Sequence, residues 1–458
     1  MQNTGVRILY SFYLAVKLFH VADLHLGCRR LNGRLPDSDF VEAFQFIARR
    51  AIEEQAEVFL IAGDLFDRAQ VEPSHLRQAQ QVLAELKTAG IRAIGIEGNH
   101  DKAFLHSDES TWVQFLADDG LLVLLRPEFE EEGARLAPWD QEQKRGAWID
   151  VNGIRFVGAG YLGAATPHKT REIISRLDAG RIHVLLLHAG PDYFVGEGGG
   201  FSSGDLQAVR EKVCYLALGH IHRPMQYGDW ACNPGSPENC DLREASYDFD
   251  RKGKVAPRGY AVVKIDPVQP DGSTTFELRS NPRRSVHRLD IDCSPFGNKL
   301  KDGAAALVKA AVKLIRADDT DTVIDLRLTG KLNLNRVALD QALVSQQIEQ
   351  QAGVYAVGID VTGLNVGAQP DEIFGRSAGI SREEIEQQAI RTLLDQQDLL
   401  GLEEAKGELA TLFYEIKEAV RQNRQTVELT ERIRSSSLVE QIHAAQCSRI
   451  EAEQEGRP

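Results

Sequence analysis

Val58-Phe59-Leu60-Ile61-Ala62-Gly63-Asp64-Leu65-Phe66-Asp67 is an apolar run that stops on Gly-Asp, and its reading decides the fold. Apolar residues without alternation describe a strand buried on both faces. The glycine allows a sharp turn, and the carboxylate after it stands at the strand's C-terminal end. The same pattern recurs along the chain. Lys17-Leu18-Phe19-His20-Val21 leads to Asp23-Leu24-His25, and the run 91–96 leads to Gly98-Asn99-His100-Asp101. The run 182–187 ends on His188, and 215–218 enters Gly219-His220-Ile221-His222. Between the earlier runs, 40–55 and 74–89 carry apolar residues at helical spacing, with Pro73 where a helix can begin and Gly90 where one can stop. This alternation predicts the α/β class, a buried sheet with helices on its faces. Functional groups in such sheets gather beyond the carboxyl ends of the strands, where all five motifs fall.

Farther on, 260–265 and 274–278 read as closing strands of the same layer, and Asn281-Pro282-Arg283-Arg284 as a boundary. The runs 286–292, 298–317, 322–328, 335–350 and 355–361 then spell strand, helix, strand, helix, strand, a compact α+β module. Beyond Gly367 the chain is polar and helical, with Leu402, Ala405, Leu409, Leu412, Phe413, Ile416 and Val420 on a narrow apolar stripe that needs a partner surface. The expected division is 1–16 as an N-terminal extension, 17–281 as the main domain, 282–367 as the small module and 368–458 as a helical tail.

A chain of 458 residues exceeds what one hydrophobic core holds, and 43% hydrophobic with 26% charged residues is an ordinary globular composition. Cys28, Cys214, Cys232, Cys240, Cys293 and Cys447 form no CxxC pair, so neither a zinc knuckle nor a disulfide framework is indicated. A reducing cytoplasm is the expected location. The stretch 6–16 has the apolarity of a short signal core, but cleavage there would clip the strand leading to Asp23. No later apolar run reaches the ~20 residues of a membrane span. A net charge of −14 argues against a broad basic coat, so any nucleic-acid contact is local.

Carboxylates, an amide and imidazoles in this mixture are the donors of a pair of divalent transition metals, whose expected chemistry is phosphate-ester hydrolysis. Asp23 and His25 stand two apart, as do His220 and His222, so continuing strand geometry would project each pair from one face. Asp64 has lone pairs for two ions and suits a bridge, while Asn99 and His188 supply neutral donors. His100 adjoins a ligand without being needed as one, and is expected to serve the departing oxygen as general acid or charge-stabilising donor. Asp67 is expected to orient His100, and Arg68 to touch the phosphate. Single residues of these kinds have plainer readings. A histidine closing an apolar strand is commonly a hydrogen-bonded structural residue, as expected of His20, His183 and His287, and Asp after Gly is commonly a turn residue. Five motifs at five strand ends outweigh those readings. The Gly-rich segment 196–200 lacks the Lys-Ser/Thr of a phosphate loop and reads as an ordinary loop.

The set Asp23-x-His25, Gly63-Asp64-x-x-Asp67, Gly98-Asn99-His100-Asp101, His188 and Gly219-His220-x-His222 resembles the calcineurin-like metallophosphoesterase superfamily. Within it, Ala22-Asp23-Leu24-His25-Leu26-Gly27, the Gly-Asp-Leu-Phe-Asp run and Asn233-Pro234-Gly235-Ser236-Pro237 resemble the SbcD and YhaO type DNA repair exonucleases. The resemblance reaches about residue 280 and continues beyond it only as domain order. It implies a layered β-sandwich metallophosphoesterase core flanked by helices, a small DNA-facing capping domain, and helices that grip an SbcC-type coiled-coil ATPase. It further implies one ion on Asp23, His25, Asp64 and His222, a second on Asp64, Asn99, His188 and His220, His100 as the catalytic histidine, and manganese as the metal. Some family nucleases carry histidine where this chain has Asp67. Nuclease cores of the family often pair as homodimers.

The implied activity is metal-dependent exonucleolytic cutting from 3′ ends in double-strand break repair, with endonucleolytic action on single strands or hairpins. Arg29, Arg30 and Arg34, together with Arg283, Arg284 and Arg288, are the candidate DNA contacts, and nothing among them reads base edges, so cutting is expected to be sequence-independent. No Walker A loop is present, so ATP would act through the partner. Two other readings stand beside this one. A small-molecule phosphodiesterase or phosphoprotein phosphatase shares the metal centre but needs no downstream module, and an inactive scaffold needs no complete ligand set.

Overall fold

The computed structural model describes residues 15–102, 111–195, 199–249, 254–269, 271–296, 300–315, 321–332, 340–366, 390–391 and 406–421. The expectations for 1–14, 196–198 and most of 368–458 lie outside the described residues.

Two six-stranded sheets form the centre of the fold. In the first, Val16–Val21, Val58–Ala62, Arg92–Ile96 and Val123–Leu124 lie parallel in that order, and Gly259–Ile265 followed by Thr274–Ser280 extend it antiparallel from Val16–Val21. The strand therefore starts at Val16, the last residue of the expected extension, which pairs with Ile265. In the second sheet, Ile182–His188 lies parallel between Tyr215–Gly219 and Ile154–Ala159, with Gly219 in register with His188. Met225–Tyr227, Ala231–Asn233 and Trp148–Val151 complete it.

The inner faces meet through Leu18, Leu60, Ile94 and Val263 on one side and Phe156, Val184, Leu186 and Tyr215 on the other. Burying each such side chain stabilises the fold by about 1.5–3 kcal/mol. Helices cover both outer faces. Ser38–Glu53 and Pro73–Thr88 pack Phe44, Ile47, Val82 and Leu83 over Phe19, Phe59 and Ile61. Thr166–Ser175 and Ser203–Arg210 pack Ile173 and Val209 over Leu185 and Leu216. The fold is a layered β-sandwich between helical layers.

A three-stranded sheet of Val286–Asp292, Val323–Leu332 and Ala356–Val366 follows, carrying helices Leu300–Leu314 and Gln341–Ala352. Its first two strands run parallel. The second helix starts where Asp340 accepts from Leu343 N at 2.9 Å and stops at Gly353, whose φ of 69° is the left-handed turn that glycine adopts freely. Ile291, Leu307, Leu326, Ile348 and Val357 give this module its own core, and a small cluster of Leu35, Leu242, Val323 and Ala356 joins it to the sandwich. Residues Met1–Asn365 form one compact unit and Val366–Pro458 a second. In the second, Lys406–Arg421 is helical with Phe413 half exposed. No helix among the described residues is long and apolar enough to cross a membrane.

Candidate metal centre

The sandwich brings the ends of five strands to one rim, where Asp23, His25, Asp64 and His188 are each at most 1% exposed. Strand alternation does not aim Asp23, His25 or Asp64, whereas His188 is itself the last residue of strand Ile182–His188. The first strand ends at Val21, and Asp23 (φ 54°), His25 (φ 44°), Asp64 (φ 51°) and His220 (φ 89°) all adopt positive φ. That conformation is costly for residues with a Cβ and persists where surrounding structure enforces it. Here Asp23 N and His25 N donate to Gly63 O and Asp64 O at 3.1 and 3.0 Å, so the first two ligand loops brace one another. Gly98 is obligatory for packing, because a Cβ there would overlap the Asp64 carboxylate.

Buried Asp101 ties the second and third loops together by accepting from Leu65 N, Phe66 N and Gly98 N at 3.3, 3.0 and 2.9 Å. Burial and the neighbouring Asp64 charge push its carboxyl up to about 7. The fifth loop is held by the Asn-Pro-Gly-Ser-Pro run. Asn233 Nδ2 donates to Ile221 O and Arg223 O at 2.5 and 2.8 Å, and Ser236 N donates to His222 O at 3.0 Å.

The protons on the imidazoles follow their outer partners. His188 Nδ1 lies 2.8 Å from Ala62 O, and His222 Nδ1 lies 2.7 Å from Glu244 Oε1. Those oxygens only accept, so in a neutral ring both Nδ1 atoms carry the proton and each Nε2 turns a lone pair inward. His188 Nε2 then faces Asn99 Oδ1 at 3.1 Å and Asp64 Oδ2 at 3.2 Å, while His222 Nε2 faces His25 Nε2 at 3.0 Å. His220 Nδ1 reaches the same Asn99 oxygen at 3.0 Å. Lone pairs converging on lone pairs need positive charge between them. The electrostatics agree. Burial opposes charge on His188, yet the Asp64 and Asp23 carboxylates raise it to about 9. Burial likewise pushes Asp64 up, but the His188 charge outweighs it and holds that carboxyl below the ordinary range. Burial and repulsion from His188 drive His220 down to about 4. A proton on His188 thus occupies a place that suits a cation. His25 with Asp64 and His100, and Asp23 with Asp64 and His188, are groups close enough to hold one. The donor set fits a divalent metal pair.

His100 stands beside this cluster, exposed, its ring edge-on to His25 at 4.7 Å between centroids. Its Nδ1 donates to the backbone carbonyl of Asp67 at 2.7 Å. The expected side-chain pairing of Asp67 with His100 is therefore corrected. The Asp67 carboxylate faces His25 Nδ1 at 3.4 Å, and it is the peptide oxygen that fixes the His100 tautomer. Arg68 is exposed and turned to Asp67 at 3.3 Å. Glu244, which orients His222, has no signal in the sequence, because it lies in the short 3-10 helix Leu242–Asp248, 22 positions from its partner. His20 is structural as expected, fully buried between the Tyr215 hydroxyl and Leu218 O at 2.9 and 3.1 Å.

The arginines divide. Arg30 is 4% exposed and paired with Asp39 at 2.5 Å and Glu238 at 3.1 Å, and Arg283 is held by Asp248 at 2.7 Å and by the carbonyls of Pro237 and Arg258. Both leave the set of DNA-contact candidates, since their charge is consumed inside the fold. Arg34 bonds Glu349 and Val357 O, each at 2.8 Å, and Arg284 pairs with Asp39 and Asp321. These two tie the small module to the sandwich. Arg288 pairs with Asp325 and Asp360 within the module. Arg29 stays at the surface beside Glu72. With Arg34 and Arg243, and with Asp241, Asp325 and Asp360 among them, it lines a groove of about 600 Å3 that reaches Cys240 next to the centre.

Residues 16–224 match the family model described as Calcineurin-like phosphoesterase, so the chain carries a metallophosphoesterase domain. DNA double-strand break repair protein Mre11 of Archaeoglobus fulgidus is 30% identical over 249 residues, covering 50% of this chain and 52% of its own length. The protein of that name from Aeropyrum pernix is 27% identical over 302 residues, covering 62% of this chain and 65% of its own. The chain thus spans between about half and two thirds of these curated relatives. A solved dimetal phosphatase from Danio rerio aligns over 58% of this chain and 100% of its own at 11% identity, and its TM-score of 0.31 is too low to bear on the site.

Proposed function

We propose that this protein is a two-metal phosphodiesterase that cuts DNA during double-strand break repair. The observation that carries the reading is the convergence of Asp64, Asn99, His188 and His222 donor atoms on one rim, where in the absence of a cation a proton on His188 stands in for the missing positive charge. In this reading Asp23, His25, Asp64 and His222 hold one ion and Asp64, Asn99, His188 and His220 the other, with Mn2+ as the metal that the motif resemblance favours. When bound, such a pair supplies Lewis acidity and neutralises charge on the phosphate ester. The chain's own residues do the rest. His100, with its tautomer set by the Asp67 carbonyl, presents Nε2 to hold or release the proton of the departing oxygen. Glu244 orients His222.

DNA as the substrate is supported by the two relatives named for break repair, and a groove lined by arginines and carboxylates alike lies beside the centre. Residues 282–367 serve in this proposal as a capping domain along that groove, and 368–458 as the segment gripping an SbcC-like coiled-coil ATPase, with pairing into a homodimer. Cutting is 3′ to 5′ on duplex ends, with hairpin or single-strand incision as the endonucleolytic mode, and the location is cytoplasmic.

The test is purified protein with Mn2+, offered end-labelled duplex and hairpin DNA beside small chromogenic phosphate mono- and diesters. DNA cleavage upholds the proposal. Turnover of the small esters alone replaces it with a small-molecule phosphatase, and silence on all of them leaves a scaffold. Deleting residues from 368 onward is expected to remove co-purification with the ATPase while sparing basal cutting; an ATPase that still follows the truncated chain would refute the tail assignment.

A further inference from the structure

Two cysteines crowd the His25 and His222 side of the centre, and the proposed metal chemistry uses neither. Cys240 places its sulfur within 4.8 Å of a ring nitrogen of both His25 and His222. Its backbone N–H donates to Glu244 Oε2 at 2.9 Å, so the carboxylate that orients His222 also fixes the cysteine. Cys28 follows three positions after His25, donates its N–H to His25 O at 3.0 Å, and hydrogen-bonds the Cys240 thiol. Both thiols are free, Cys28 buried and Cys240 partly so. A second observation points to a ligand here. His25 Nδ1 is buried without a hydrogen-bond partner, and the nearest carboxylate oxygen, on Asp67, stands off at 3.4 Å.

The two halves of the rim therefore differ in chemical softness. Around His188 the partners are the oxygens of Asp64 and Asn99, suited to a hard or borderline cation. Around His25 and His222 two imidazoles meet a thiol, a nitrogen and sulfur set of the kind that selects zinc-like ions. We infer that the His25–His222–Cys240 cluster is a binding site for a thiophilic divalent cation, Zn2+ or Cd2+ in chemical class. Binding exchanges the S–H bond of Cys240 for a sulfur–metal bond and releases one proton to solvent; no electron is transferred. The inference rests on the metal-centre reading: His25 and His222 would hold the thiophilic cation in place of the first ion and not beside it, so the two ions compete for one position.

The experiment uses the full chain stripped of metal and titrated with Cd2+ alone. Expected is the ultraviolet thiolate-to-cadmium charge-transfer band, together with protection of Cys240 from alkylation, mapped by peptide mass spectrometry. The band is expected to disappear in Cys240→Ser and to persist in Cys214→Ser. Cadmium uptake without the band, or a band that survives in Cys240→Ser, overturns the inference. The alkylation map of the unmodified chain decides the matter even if the variant fails to fold. Mn2+-dependent DNA cleavage, assayed on the same preparation, separates the two readings. Cleavage without the cadmium band sinks this site and leaves the proposed function standing, whereas the band without cleavage does the reverse.

Discussion

At the scale of single residues, the tautomers of His188, His222 and His100 are set by oxygens outside the ring of donors. His100 is the most exposed of them and the one whose loss should separate chemistry from metal binding. His100→Ala is expected to lower Mn2+-dependent cleavage by about 10²–10⁴-fold while metal content by mass spectrometry is unchanged; loss of metal as well would make it a ligand. His20 supports a pH prediction away from the rim. Burial lowers its pKa from 6.5 to about 3, against the weaker upward pull of Leu218 O. The unfolded chain then binds a proton that the folded chain refuses, so this contribution to stability is full above 6.5 and is lost as pH falls toward 3. Urea titrations between those limits should show a steeper fall of unfolding free energy for the natural chain than for His20→Asn. Equal slopes would show that His20 does not stay neutral in the folded state.

At the scale of elements, the decisive pieces are loops that hold one another. Asp101 accepts three backbone N–H groups from two ligand loops, and its replacement by alanine leaves all three without an acceptor. Asp101→Ala is expected to destabilise the fold by about 3 kcal/mol or more. A change below 1 kcal/mol in chemical denaturation would mean that water substitutes fully. Much of this layer is legible in the sequence. Unbroken apolar runs such as Val58–Ala62 mark buried strands, and the polar residues just past them mark the rim. The helix at Gln341–Ala352 announces itself through Asp340 and Gly353. What escapes is whatever lacks a period. Ile154–Ala159 is wholly buried, yet it carries Arg155 at its second position. That charge is tolerated because it pairs with Asp150 and Asp178 and stacks on Trp148 at 3.5 Å, contacts no local pattern foretells. Without this strand, the chain reads as one sheet and not two. The aim of Asp23 and His25 escapes for a related reason, since positive φ at residues other than glycine is enforced by the neighbouring loop and not by their own type.

At the scale of the whole molecule, the rim draws on both sheets. Asp23, His25, Asp64 and Asn99 follow strands of the first, while His188 ends a strand of the second and His220 and His222 follow another. Cations seated among them would span the seam of the sandwich at one open end. Mn2+ at 100 times its dissociation constant should then stabilise the fold by about 2.7 kcal/mol, read as a higher melting temperature than in chelator-treated protein. Amide exchange should quicken after chelation first at 98–101 and 219–222; uniform exchange across both sheets would show no such local fastening. A molecule clasped in this way feels metal scarcity mechanically, loosening at the lip where it is meant to bite before its body gives any sign of strain.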